Sequence, residues 1–190
     1  FAIDIPLNAV FEAVTLSKLA RRIDLAIAES SKSPALPALQ RAPKEGATPL
    51  SFSQQRMWVI QSLDPQNTAY NMSTAARLTG EIDYPALERA IDELLMHHDI
   101  LRSTYRSVDG EVVQELQPFK AGALEIVDLT VMQGDPEKAA LTYANALAST
   151  PIDLENGPIF AVRLMRIGAD THTLHFLVHH IAGDHWSLGV

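Results

Sequence analysis

The chain has 190 residues, 47% apolar and 20% charged, enough to bury the core of an ordinary domain. Its net charge of −8 and pI near 5.3 argue against nucleic acid or an anionic membrane surface as a partner. It contains no cysteine, which excludes disulfides, thiolate zinc sites and cysteine nucleophiles.

The sequence opens FAIDIPL, without an initiator methionine or a signal-peptide pattern, and its longest apolar run falls far short of a membrane span. It stops just after a histidine-bearing strand, so it reads as a piece of something longer, and the lack of cysteine is compatible with the cytoplasmic location expected here. Residues 1–29 have helical spacing. Pro6 and Asn8 turn the chain into a short helix through Ala13. Thr15 is a candidate N-cap for a second helix, in which Leu16, Leu19, Ile23 and Ile27 share a face. A piece this small cannot bury enough surface to stand alone and suggests the tail of a helical bundle. Residues 30–48, SSKSPALPALQRAPKEGAT, carry Pro34, Pro37 and Pro43 with no sustained period and read as a linker.

Residues 49–190 have mixed α/β patterning. Ser51 or Ser53 caps a helix through Leu63, with Met57, Ile60 and Gln61 toward the core and Gln54 and Gln55 tying its end to its surroundings. Met72–Leu78 suits a strand. Pro85 opens a helix whose stripe is Leu87, Ile91, Leu94 and Leu95. Ile100–Arg106 and Val112–Leu116 form a hairpin about Asp109 and Gly110. Leu124–Val127 is a further strand, Pro136–Ala148 a helix, and Ile159–Ile167 with Thr171–His180 a second hairpin about Gly168 and Ala169.

The chemistry gathers at the end, in LHFLVHHIAGDHWSLG. Side chains alternate along a strand, so His172, Leu174, Phe176, Val178 and His180 point one way and Thr173, His175, Leu177 and His179 the other. Adjacent His179 and His180 therefore cannot serve one site unless the strand breaks, and one should be catalytic and the other structural. Asp184 either orients an imidazole or pairs with a cation to lock the loop. Arg102, set between Leu101 and Ser103 on a strand, needs an anion, and Asp184 is a candidate. Metal binding by His172, His175, His179, His180 and His185 is disfavoured, because the spacing of zinc proteases is absent and His175 and His179 lie two pleats apart. Ser187 lacks the context of a nucleophile and reads as the start of a helix.

Three stretches occur in order at suitable spacing: SFSQQRMWVIQSLDPQNTAYNM from Ser51, HHDILRSTY from His97 and HHIAGDHWSLG from His179. They resemble the first three motifs of the condensation domains of nonribosomal peptide synthetases, and the resemblance covers residues 49–190. It implies an α/β fold similar to chloramphenicol acetyltransferase, of which this is the N-terminal lobe, a mixed sheet with flanking helices. The stretch FAIDIPLNAVFEAVTLSKLARRI resembles the C-terminal part of a phosphopantetheine carrier, whose modified serine is not in this chain.

By resemblance the reaction is amide bond formation between a thioester-bound aminoacyl or peptidyl donor and the amine of an aminoacyl thioester. His180 is then the functional histidine of the catalytic signature, supported by His179 and by Asp184 paired with Arg102. No cofactor is bound directly. The partners are upstream and downstream carriers bearing 4′-phosphopantetheine, with an adjacent adenylation domain. His185 stands where the family's signature ends in glycine and is a candidate to narrow the donor channel or add a hydrogen bond there. Epimerisation or ester formation on the same fold, or a non-catalytic carrier-docking role, are the alternatives, and the piece alone is expected to be inactive.

Overall fold

A computed structural model describes residues 7–30 and 46–189. The chain divides into two units, Phe1–Ala42 and Pro43–Val190. The expected linker falls largely outside the described residues.

In the first unit α1 spans Leu7–Glu12 and α2 spans Leu16–Ser30. Thr15 caps α2 as its sequence suggests: its Oγ1 accepts from the backbone N–H of Lys18 at 3.3 Å. Along the expected apolar face Leu19 and Ile23 are half-buried, whereas Leu16 and Ile27 are exposed.

The second unit holds β1 (Thr48–Pro49), α3 (Phe52–Leu63), β2 (Asn71–Thr79), α4 (Tyr84–His97), β3 (Ser103–Val108), β4 (Glu111–Leu116), β5 (Leu124–Asp128), α5 (Pro136–Ala148), β6 (Phe160–Arg166) and β7 (Thr171–His179). The helix starts are chemically marked. Ser51 and Gln54 form a reciprocal capping box on α3, with bonds of 3.3 and 2.9 Å. Asp83 and Asp135 cap α4 and α5, each with proline in the first turn.

The strands form two sheets. The smaller has order β1-β4-β3 and is antiparallel. Its β3–β4 turn places Asp109 at φ 52° and Gly110 at φ 86°, the left-handed pair that an Asp-Gly hairpin requires. The larger sheet has order β2-β7-β6-β5, with only β5 and β6 parallel, as the α5 crossover between them demands.

Strand β7 is bonded on both edges, and its alternation is the one read from the sequence. On one face Leu174 packs with Ile91 of α4, Leu124, Val162 and Leu164. On the other, Leu177 joins Leu50, Met57, Tyr105, Ile152, Leu154, Ile159 and Ile181. A third cluster, Leu129, Ala140 and Met165, seats α5. The expected mixed sheet with flanking helices is present.

One element differs from expectation. The strand predicted to begin at Ile100 begins at Ser103, and Asp99–Arg102 form a 3-10 turn instead. The end of α4 leaves carbonyl groups to be satisfied, and Arg102 satisfies one: its Nε donates to Leu95 O at 2.7 Å. Its Nη1 donates to Gln117 O at 2.7 Å, and its Nη2 pairs with Asp99 at 2.6 Å. Ser103 Oγ donates back to Asp99 O at 3.0 Å and closes the turn.

Candidate active site at the end of the last strand

Pairing of β7 with β2 ends at the register Asn71↔His179. One further bond, from His180 N–H to Tyr70 O at 2.8 Å, holds the next residue before the chain turns away. The chain therefore leaves the ladder only after His180.

His179 faces inward and is fully buried. Its backbone N–H reaches Ile159 O at 3.0 Å, and its carbonyl accepts from Ala182 N–H at 2.9 Å. The ring Nδ1 accepts from Ile181 N–H at 3.1 Å, so that nitrogen carries no proton and the neutral ring is protonated on Nε2. Burial first, and the neighbouring His180 second, push its pKa down to about 4. His179 is thus a neutral post around which the chain reverses. Tyr70 flanks both rings, with centroids 6.0 Å from His179 and 6.4 Å from His180.

His180 is half-buried. Its Nδ1 lies 2.6 Å from Gly183 O. A carbonyl can only accept, so Nδ1 carries the proton and the Nε2 lone pair of the neutral ring is left for chemistry. The two adjacent histidines are therefore fixed as opposite tautomers by backbone groups of one turn.

Asp184 is exposed and closes that turn. Its Oδ1 accepts from Ser187 N–H at 3.0 Å and Ser187 Oγ at 2.9 Å, while its own N–H donates to Ser187 Oγ at 3.1 Å. The Ser187 amide first, and its hydroxyl next, hold the carboxyl below the usual carboxylate range, with a smaller contribution from a charged His180. The expected pairing of Asp184 with Arg102 is replaced: the guanidinium is engaged by Leu95, Asp99 and Gln117, and the carboxylate by Ser187. Both groups satisfy themselves locally, so Arg102 supports the α4–β3 corner rather than the histidine turn.

His185 and Trp186 form the exposed tip of the turn. His185 is not held at positive φ, which among the described non-glycine residues is confined to Asp109. Its backbone therefore does not require glycine. The remaining strand histidines have hydroxyl partners: His172 Nε2 with Tyr84 OH and His175 Nε2 with Ser73 Oγ, each at 2.7 Å. Among the described residues no group of three or more His, Asp or Glu is placed to hold a metal ion.

Sequence reasoning missed three contributors. Tyr70 acts through its carbonyl, which no side-chain pattern marks. Gly183 is placed by close approach, since a Cβ there would lie 3.1 Å from Ser187 Cβ and 3.2 Å from its Oγ. Ser187 begins a 3-10 turn as expected, but the Asp-x-x-Ser spacing also signals the reciprocal cap that it makes with Asp184. Gln54 does tie its helix to the surroundings, with Nε2 donating to Ile181 O at 3.3 Å.

The family model described as Condensation domain matches residues 44–190. The chain is 36% identical over 191 residues to a linear gramicidin synthase from Brevibacillus parabrevis, covering 100% of this chain and 4% of that protein. It is 35% identical over 179 residues to the dimodular nonribosomal peptide synthase of Bacillus subtilis strain 168, covering 94% of this chain and 7% of that one. Among solved structures, the starter condensation domain of rhizomide synthetase RzmA superposes with a TM-score of 0.71 at 26% identity. That match covers 76% of this chain and 35% of the other. The chain thus spans a small fraction of the synthetases and about a third of a solved neighbour.

Proposed function

The chain belongs to the condensation-domain family, and on that premise we propose that the His180 turn serves amide bond formation within a nonribosomal peptide synthetase. The donor is an aminoacyl or peptidyl thioester on an upstream carrier, and the acceptor is the α-amine of an aminoacyl thioester on a downstream carrier. The phosphopantetheine arms belong to those substrates. Residues 1–29 are read as the tail of the upstream carrier, and an adenylation domain as a neighbour in the parent. Residues 49–190 supply the histidine turn and one lobe of the substrate tunnel, so this part alone is inactive.

The observation that carries the reading is the tautomer of His180. With Nδ1–H committed to Gly183 O, Nε2 is the ring's acceptor, oriented from beneath by a carbonyl. As the amine nitrogen bonds to the thioester carbon, it becomes cationic and its proton is taken by Nε2. The C–S bond then breaks, and the departing thiolate receives a proton, leaving an amide, a free thiol and neutral His180. A positioned base contributes about 10²–10⁴-fold. His179 assists by remaining neutral, so that no second cation stands beside the imidazolium. Asp184 contributes its negative charge, attenuated by exposure, and closes the turn that holds Gly183.

The test uses the full parent module with both carriers loaded with cognate thioesters, amide product being followed by intact-protein mass spectrometry. His180→Ala is expected to lose about a hundredfold or more in rate. Wild-type turnover retained in that variant, or no amide from the loaded wild type, would refute the proposal.

A further inference from the structure

We infer that Ser187 is a positioning residue for His180: through its knot with Asp184 it fixes the Gly183 carbonyl that sets the tautomer of the reacting ring. The inference rests on His180 being the reacting group. It adds a residue outside the histidine-aspartate signature and gives Asp184 a part that needs no contact with the imidazole.

The turn is short. Three residues separate His180 from Asp184, and the middle of the turn is fixed from outside by Gln54 Nε2 on Ile181 O and from within by Ala182 N–H on His179 O. These bonds pin the peptide between Ile181 and Ala182 and leave the one between Gly183 and Asp184, which carries Gly183 O, to be set from the far side. Ser187 is the group on that side. Its Oγ accepts from the N–H of Asp184, the same peptide unit that carries Gly183 O. A peptide unit is planar, so fixing its N–H direction fixes its carbonyl direction. The hydroxyl proton is spent on Asp184 Oδ1 and the serine amide on the same oxygen, which leaves the serine oxygen oriented as an acceptor. One peptide plane is therefore clamped at both ends, by Ser187 at its N–H and by His180 Nδ1 at its oxygen.

Packing supports the same geometry. Gly183 meets the serine so closely that an added Cβ would lie 3.1 and 3.2 Å from its Cβ and Oγ, so serine and glycine are fitted to each other. Without the hydroxyl, the Asp184 N–H turns to solvent and the peptide is free to rotate. The Nδ1–H bond then competes with the alternative tautomer, in which Nε2 carries the proton and cannot accept one.

The test uses the same loaded parent module for kinetics, and the intact condensation domain with ¹⁵N-labelled histidine for spectroscopy. The His180 ring signals are assigned by their loss in His180→Ala. In the wild type Nδ1 is expected to be the protonated ring nitrogen. Ser187→Ala is expected to lower kcat about tenfold, with KM for both loaded carriers within about twofold, as loss of a transition-state contribution requires. Its His180 ring signals should move toward the Nε2-protonated form. Ser187→Thr keeps the hydroxyl and is expected to restore both.

A Ser187→Ala protein with unchanged ring signals overturns the inference whatever its kcat. Should that variant melt far below the wild type, Ser187→Thr decides, since an altered tautomer with its hydroxyl present also overturns it. Failure of His180→Ala to lose activity would strike the proposed function, whereas the ring signals judge the clamp by themselves.

Discussion

His179 should make the domain lose stability in mild acid. In the fold its ring is buried, its Nδ1 accepts a backbone N–H, and its pKa is pushed from 6.5 down to about 4. Protonation would set an N–H against the N–H of Ile181 and place a cation beside His180. Because the folded pKa lies below the unfolded one, the unfolded chain binds the proton first. The contribution is fully present above about pH 6.5 and is lost as pH falls toward 4. That displacement amounts to about 3 kcal/mol in full, of which about 2 kcal/mol disappears between pH 7 and pH 5. His172 and His175 are also depressed, chiefly by burial, and act in the same direction. The contribution of His179 is therefore read as a difference. Urea unfolding of the intact condensation domain at several pH values between 4 and 7 would be compared with that of His179→Asn, whose amide oxygen can still accept from Ile181. The variant should be less stable at pH 7 but lose about 2 kcal/mol less on acidification to pH 5. Parallel stability curves for the two proteins would show that His179 does not titrate as a buried neutral ring, and the reasoning from its geometry would fail.

Arg102→Ala should destabilise the domain by about 2–4 kcal/mol, because the half-buried guanidinium serves two carbonyls and a carboxylate. Chemical unfolding measures the loss, and kcat per folded molecule should stay within about twofold of wild type, since none of these partners belongs to the histidine turn. A large fall in kcat with stability intact would restore the pairing with Asp184. His185→Gly should change turnover by less than about threefold, because the position is exposed and needs no glycine backbone. A large gain in the amide assay would instead mean that the imidazole obstructs the donor, as its place in the signature suggests.

The sheets were legible because their signals are local and strong. The period of two in β6 and β7 and the Asp-Gly turn each name a structure by themselves, and β4, β6 and β7 lie within a residue or two of their expected places. The inward and outward sorting of His179 and His180 followed from the same period. What escaped reading depends on backbone groups and on competition between partners. The 3-10 turn at Asp99–Arg102 arises because one guanidinium can take up carbonyls of α4 and of the segment after β4 together, a choice that hydrophobic spacing does not encode. Asp184 offered a cation partner on paper, but serine three residues on supplies two donors at no loop-closure cost. The tautomers were invisible for the same reason, being set by the carbonyl of Gly183 and the amide of Ile181.

The turn after β7 is stitched on every side: to Tyr70 by the backbone of His180, to α3 by Gln54, to the core by Ile181, and to itself by Ser187. Such a segment is poorly suited to act as a gate. Opening it would break these bonds together and free the His180 ring from the Gly183 carbonyl. On the proposed function, any slow conformational step that admits donors or releases product would then be carried by other parts of the parent protein. On that reading the histidine turn would be a fixed point, the place to which each proposed carrier has to bring its cargo.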